Sequence, residues 1–327
     1  LAVSPDGSLL ASSAPEGDLL LWDLQGERVL ARIDRQASTN DAMLMRNMNA
    51  ILVFTPDGNS LIFSECDPES RGTSVVRLDL DTGEREHSPP AGVDEAFDLA
   101  ARLLGDSAPI AFQHHAALLK DGRILQGTPS LWQSQRVVVR RPGEPDAKSN
   151  VLSHSAAAIS GGVAVHPGGR VYAAAEVLMI RVRDADTDQL LFEIVEGTFN
   201  IPYGMTYSPD GSRLAIGTED GRVLIFDTEF YQNIASIKMP NDHPSGGRNY
   251  IYNLVWTPDG KRLITCTGDS IRILESERMF IRDWRKQQWE QELTTARSRP
   301  TDNTVSESAA RVSRIERWAG RAPITQE

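Results

Sequence analysis

The 327-residue chain has few cysteines and no long apolar run, which argues against a disulfide-rich protein and against a membrane-spanning helix. Cys66 and Cys266 form at most one disulfide, and each lies in an apolar run typical of a buried thiol, which favours a cytoplasmic location. No stretch approaches the roughly 20 consecutive apolar residues that a membrane-spanning helix needs. We therefore expect no membrane span in these residues. Because Leu1 falls inside an apparent strand, we also expect further sequence upstream.

Motifs of the common catalytic and metal sites are also lacking. The chain has no GxSxG, HExxH, GxxxxGK or CxxC pattern. His114 and His115 are adjacent, and adjacent residues on a strand point to opposite faces, so the pair does not converge on one metal ion. The other histidines lack acidic partners at ligand-like spacing. We expect no catalytic residue, no cofactor and no metal.

The charge is unevenly distributed along the chain. Residues 1–277 carry 24 basic and 38 acidic side chains, whereas residues 278–321 carry ten basic and six acidic ones. An acidic body repels phosphate and anionic lipid. Nucleic acid is therefore not expected as a partner of the main domain.

What the sequence does contain is a repeat. Six segments open with a short apolar strand and a Pro-Asp-Gly-like turn: LAVSPDG, LVFTPDG, ALLKDG, VAVHPGG, MTYSPDG and LVWTPDG. Proline presets the turn, aspartate bonds the nearby backbone, and glycine accepts the positive φ that closes a hairpin. The predicted repeat-turn residues are Asp6, Gly7, Asp57, Gly58, Asp121, Gly122, Asp210, Gly211, Asp259 and Gly260.

Each unit continues with a second strand, another turn and an alternating third strand that often ends in an acidic residue. Most copies add a fourth strand, such as RVLARI from Arg28. Four short antiparallel strands per unit at this wide spacing predict the blades of a β-propeller. We place the blades at about 1–34, 50–88, 116–154, 161–197, 203–240 and 250–285, within a domain of residues 1–285. Residues 286–327 are predicted to begin as a helix and continue as a polar, flexible tail.

These units resemble WD repeats, with Trp22-Asp23 as the closest dipeptide and degenerate versions elsewhere. The residues of this blade signature are Trp22, Asp23, Asp79, Asp184, Asp220 and Asp227. The resemblance implies an all-β propeller of four-stranded antiparallel blades, of which six are visible. WD-repeat propellers typically have seven blades, so either six close the ring or a seventh lies upstream. The Gly-His dipeptide of the best WD repeats is missing, so their buried histidine network is not transferred to this chain.

The loops between blades are the predicted partner-binding regions, because in a propeller the strands serve as scaffold. The candidate contact residues are Met43, Met45, Arg46, Met48, Phe97, His243, Arg248, Tyr250 and Tyr252. Each has an alternative role. The methionines and tyrosines fit core packing as well, and VDEAFDLAARLL reads as an amphipathic helix whose apolar stripe docks on its own domain.

Three functions are compatible with these patterns. The first is a non-catalytic scaffold that binds another protein or a peptide on its loop face. The second is the C-terminal sensing or docking region of a larger bacterial-type signalling enzyme, such as a serine/threonine protein kinase. The third, a propeller hydrolase or lactonase, requires convergent carboxylates, asparagines or histidines on several inner strands, and no such set is visible. The scaffold is the function we expect.

Overall fold

The computed structural model describes residues 1–13, 18–34, 51–66, 72–105, 110–113, 116–127, 135–143, 150–155, 162–176, 179–195, 202–241, 249–267, 270–275, 311–312 and 315. These residues form six antiparallel sheets and one twelve-residue helix. Within each sheet, strands that follow one another in the chain are hydrogen-bonded neighbours. The prediction of an all-β fold built from four-stranded antiparallel blades is confirmed.

The strands of the first three sheets come from the first half of the chain. The first sheet contains β1 (Ala2–Val3), β2 (Leu9–Ser13), β3 (Leu19–Asp23) and β4 (Arg28–Ile33). The second contains β5 (Leu52–Phe54), β6 (Ser60–Cys66), β7 (Thr73–Asp79) and β8 (Arg85–His87). The third contains β9 (Ile110–Gln113), β10 (Ala116–Leu118), β11 (Ile124–Gly127), β12 (Gln135–Arg140) and β13 (Asn150–Ser155).

The last three sheets come from the second half. The fourth contains β14 (Val163–Val165), β15 (Val171–Glu176), β16 (Met179–Asp184) and β17 (Leu190–Ile194). The fifth contains β18 (Pro202–Tyr207), β19 (Arg213–Thr218), β20 (Arg222–Asp227) and β21 (Asn233–Lys238). In the sixth, the described strands are β22 (Asn253–Trp256), β23 (Arg262–Cys266) and β24 (Ile271–Glu275).

The third sheet differs from the expected blade because it has five strands. Strand β10 is the first strand of the repeat, but β9 pairs along the edge of β10 that faces away from β11 and occupies the end of the sheet. Strand β9 contacts β5 of the second sheet. The segment between the second and third repeats therefore contributes an additional strand beside the helix predicted there.

Apolar clusters join the six sheets into a closed ring. Each junction between consecutive sheets has its own cluster of buried side chains. The sixth sheet also meets the first, where Leu10 and Leu24 pack with Ile264. The first strands β1 and β22 are in contact at this junction. Six sheets therefore close the ring in the part of the chain that the structure describes.

Helix α1 (Val93–Leu104) fills the junction between the second and third sheets. Its first turn is capped because the Glu95 carboxylate accepts a hydrogen bond from the Gly92 backbone N–H at 3.0 Å. Phe97, Ala100 and Leu104 recur at helical spacing and are buried against both sheets. The helix therefore docks on its own domain.

The Pro-Asp-Gly-type turns follow one hydrogen-bond scheme in four sheets. In the first, Ser4 donates its hydroxyl to Asp6 at 2.6 Å, and the Leu9 backbone N–H donates to the Ser4 hydroxyl oxygen at 2.9 Å. Equivalent pairs are Thr55–Asp57, Ser208–Asp210 and Thr257–Asp259. The following glycines, Gly7, Gly58, Gly211 and Gly260, all have positive φ. Asp121 and Gly122 lie in the corresponding turn of the third sheet, where Leu119 replaces the hydroxyl residue.

Aspartates at the ends of third strands cap the next turn. Asp23 accepts hydrogen bonds from two backbone N–H groups, of Gln25 and Gly26, both at 3.0 Å. Asp79, Asp184 and Asp227 make the same pair of contacts two and three residues ahead. Trp22, in the same strand as Asp23, donates its indole N–H to Ser12 of β2 at 2.9 Å. These signature residues therefore shape local turns.

Candidate functional site

Three tyrosines form a cluster where the fifth and sixth sheets meet. Tyr203 lies near the start of β18, and Tyr250 and Tyr252 lie just before β22. The ring centroid of Tyr203 is 5.3 Å from that of Tyr250 and 5.8 Å from that of Tyr252, both nearly edge-to-face. Tyr250 and Tyr252 are 5.5 Å apart. We call these residues the tyrosine cluster; edge-to-face contact holds the rings in place.

The cluster lies at one particular end of the sheets. Because β18 begins beside Tyr203 and ends at the turn containing Asp210, the cluster and that turn are at opposite ends of the sheet. We call the end with the Pro-Asp-Gly-type turns the turn end, and the end where the chain passes between sheets the connection end. The tyrosine cluster is on the connection end, where Tyr252 is 38% exposed and Tyr203 and Tyr250 are partly exposed.

Backbone contacts fix the segment that carries two of the rings. The Ile251 N–H donates to the Thr218 carbonyl at 3.2 Å, and the Tyr252 N–H donates to the Cys266 carbonyl at 2.9 Å. Ile251 is fully buried between its two tyrosine neighbours. Side chains alternate in an extended segment, so an inward Ile251 turns both tyrosines outward. The rings are therefore held on a rigid base.

Gly217 on β19 makes room for this segment. A Cβ atom at residue 217 would lie 2.6 Å from the Ile251 Cγ2 and 2.7 Å from the Ile251 carbonyl oxygen. One of these atoms is backbone, so a side chain there would displace the segment itself. The close approach of Gly217 to Ile251 thus fixes the position of the segment that carries Tyr250 and Tyr252.

Polar groups border the cluster in the turn between β19 and β20. Thr218 donates its hydroxyl to the Asp220 carboxylate at 2.6 Å, and Arg222 pairs with the same carboxylate at 3.0 Å. Asn249 donates its side-chain amide to the Pro240 carbonyl at 2.9 Å. The cluster is therefore an aromatic surface with a polar border. Such a combination is typical of the contact residues that dominate protein interfaces.

The other predicted contact residues fall elsewhere. Phe97 is buried in the junction described above, so its side chain is not presented to a partner. Met43, Met45, Arg46, Met48, His243 and Arg248 lie outside the described residues. So do His114 and His115. Tyr203 was not among the predicted residues, since only the pairing of the fifth and sixth sheets brings it to Tyr250 and Tyr252.

Displaced carboxyl pKa values belong to the turns rather than to a cleft. Hydrogen bonds from Ser208 lower the pKa of Asp210 to about 2, although partial burial opposes the shift. Hydrogen bonds from Thr55 likewise lower the pKa of Asp57. In the described ranges, no group of three or more histidines, cysteines or carboxylates is placed to hold a metal ion. No helix among the described residues is long and apolar enough to cross a membrane.

The predicted C-terminal helix from residue 286 lies outside the described residues, but three tail residues are described. Arg311, Val312 and Ile315 are helical, and Ile315 is buried in the cluster between the first and second sheets. At these positions the tail is therefore packed against the body, which differs from the flexible tail expected from its composition.

Comparison with known proteins agrees with the architecture. The family model for the WD domain, G-beta repeat, matches residues 194–227. The chain is 29% identical over 161 residues to WD repeat-containing protein VIP3 of Arabidopsis thaliana, covering 47% of this chain and 46% of that protein. It is 32% identical over 63 residues to WD repeat-containing protein 1 of Mus musculus, covering 19% of this chain and 10% of that protein.

A third relative is actin-interacting protein 1 of Drosophila melanogaster, 36% identical over 63 residues, which cover 19% of this chain and 10% of that protein. The chain thus spans about half the length of the plant relative and about a tenth of the animal ones. These relatives are eukaryotic, and a bacterial origin stays a prediction. Six repeats, six sheets closed into a ring in the described residues, and these matches together show that the chain is similar to WD-repeat proteins in architecture and in sequence.

Proposed function

We propose that this chain is a non-catalytic scaffold that binds another protein, or a peptide segment of one, at the tyrosine cluster on the connection end. The observation that carries the proposal is the mutual contact of three partly exposed tyrosines on a rigid backbone. Aromatic residues give large contact areas at little cost in conformational entropy. WD-repeat proteins bind other proteins, which is consistent with this role.

The chemistry of the surface indicates the kind of segment that it would bind. Tyrosine rings attract cations over their faces and offer a large apolar contact area. The acidic body, with 38 acidic and 24 basic side chains over residues 1–277, would attract a basic segment from a distance. A peptide that combines lysine or arginine with an apolar anchor fits both properties. Its binding should weaken as salt is added, because salt screens the long-range attraction.

A displayed peptide library provides the test. Peptides selected on the wild-type protein would be measured against Tyr252→Ala and against Phe230→Ala. Phe230 is 63% exposed and lies in the turn after β20, at the turn end, so it is a matched exposed aromatic residue away from the cluster. If Tyr252 is a central contact, its truncation should cost about 2 kcal/mol, or roughly a 30-fold loss of affinity.

Phe230→Ala should retain wild-type affinity, and both variants should melt within a few degrees of the wild-type protein. Peptides that bind Tyr252→Ala as well as wild type, or that lose binding only in Phe230→Ala, would move the interaction surface away from the tyrosine cluster.

A further inference from the structure

Arg311 and Ile315 connect the tail to the turn end of the first two sheets. The Arg311 guanidinium donates to the Asp6 carboxylate at 2.9 Å and to the Asn59 side-chain carbonyl at 3.4 Å. Asp6 belongs to the turn after β1, and Asn59 follows the turn after β5. A single guanidinium thus forms hydrogen bonds with the equivalent turns of two adjacent repeats.

Ile315 occupies the apolar part of the same junction. Its side chain is 0% exposed and belongs to the cluster between the first and second sheets. Val312 packs against that cluster from its edge. Among the described residues, these two are the members of the cluster that do not come from the first two sheets or their turns. The tail therefore fills a groove in the body.

The spacing of the two anchors indicates the form of the ligand. Residues 311, 312 and 315 are helical, and positions four apart lie on the same face of a helix. Arg311 and Ile315 therefore point together toward the body, one at the polar turns and the other into the apolar gap. The side chain of Arg311 is only 11% exposed and that of Asp6 is 33% exposed, so the guanidinium is the better shielded partner of this charge-assisted hydrogen bond.

We propose that the turn end of the first two sheets is a peptide-binding groove for a helical segment with arginine followed one turn later by an aliphatic residue. Its resident ligand is the tail segment that carries Arg311, Val312 and Ile315. The groove lies at the opposite end of the sheets from the tyrosine cluster, so this inference is independent of the proposed function. Thirty-five residues, 276–310, separate the last described strand from Arg311. The ligand is therefore covalently joined to its groove, and its docking is an intramolecular event.

The anchor is small, which makes its occupancy an equilibrium. One buried aliphatic side chain and one ion pair oppose the conformational entropy of ordering the segment. A substitution that removes the aliphatic anchor should therefore release the tail while the sheets keep their own packing. The emptied groove should then accept the same segment supplied as a separate peptide.

The test uses the full chain and a labelled synthetic peptide, SAARVSRIERWA, which corresponds to residues 308–319. Fluorescence anisotropy would measure its binding to wild type and to Ile315→Asp. We expect at least tenfold tighter binding to Ile315→Asp, because the resident tail of the wild-type chain competes with the peptide. A peptide with alanine in place of the arginine that corresponds to Arg311 should bind at least tenfold more weakly. Equal binding to both proteins, or no binding to Ile315→Asp, would overturn the proposal.

Hydrogen exchange provides a second test, which does not depend on releasing the tail and has a matched control. Asp6→Asn removes the charge that pairs with Arg311, whereas Asp210→Asn makes the same change in the equivalent turn of the fifth sheet. Hydrogen exchange at residues 311–315 should be at least tenfold faster in Asp6→Asn than in wild type, and unchanged in Asp210→Asn. Unchanged exchange in Asp6→Asn, or an equal increase in both variants, would contradict recognition of Arg311 by the turn.

Discussion

The aspartate of a Pro-Asp-Gly turn should stabilise the ring in a pH-dependent way, and Asp210 is the clearest position to test. Ser208 donates its hydroxyl to the carboxylate at 2.5 Å, and Ser212 adds a backbone N–H at 3.0 Å and a hydroxyl at 2.8 Å. Together they lower the carboxyl pKa from 3.8 to about 2. The carboxylate form is thus favoured in the folded protein.

The size of the effect follows from this shift. A pKa lowered by nearly two units would correspond to roughly 2.5 kcal/mol for a group shielded from water. Asp210 is exposed, and solvent screening reduces the expected contribution to about 1 kcal/mol. Because the folded pKa lies below the unfolded one, the contribution is complete above about pH 5 and is lost as the pH falls towards 2.

Urea unfolding followed by tryptophan fluorescence would measure this contribution. Asp210→Asn should lower the free energy of unfolding by about 1 kcal/mol at pH 7 and by about half of that at pH 3. Glu229→Gln, which removes an exposed carboxylate from another turn of the same sheet, should stay within about 0.5 kcal/mol of wild type at both pH values. A loss in Asp210→Asn that is the same at pH 7 and pH 3 would refute the assignment to the carboxylate charge.

Two further substitutions test the packing described above. Gly217→Ala places a Cβ atom 2.6 Å from Ile251, so overpacking should lower the free energy of unfolding in urea by about 1–3 kcal/mol. The same change should weaken the binding of any peptide at the tyrosine cluster. A variant as stable as wild type would contradict the close approach. Tyr172→Phe removes a buried hydroxyl that donates to Asp188 at 2.6 Å, and the same assay should show a loss of about 1–2 kcal/mol. A neutral Tyr172→Phe would show that this hydrogen bond contributes no net stability.

Local features of the chain were predictable because each repeat carries its own signals. The turn after β1 needs a hydroxyl, a carboxylate and a glycine in a fixed order, and Ser4, Asp6 and Gly7 supply them. The helix over Val93–Leu104 was also visible, since its apolar residues recur at helical spacing. In both cases the physical cause lies within a few residues of sequence.

Features that depend on distant residues were not predictable. Strand β9 is four residues long, too short for its alternation to be distinguished from the loop around it. In the sequence, Tyr203 looks like an ordinary strand residue, and only the packing of the fifth sheet against the sixth shows its contact with Tyr250 and Tyr252. Ile315 lies in a polar stretch of sequence. Nothing near it indicates that its side chain is buried in the same cluster as Leu9, which lies about 300 residues earlier in the chain. Tertiary packing, rather than local pattern, decides each of these positions.

The junction between the first and sixth sheets has a mechanical consequence. As at the other five junctions, no strand pairing crosses it among the described residues, so it is held by side-chain packing and by a hydrogen bond from Arg262 to the Leu24 carbonyl at 3.3 Å. Under a pulling force, a joint without paired strands should part before any sheet unravels. Arg311 and Ile315, which follow the sixth sheet in the chain, bind beyond this joint, on the first and second sheets. The docked residues of the tail therefore add a second connection at this junction, from the sixth sheet through the chain to the first two sheets.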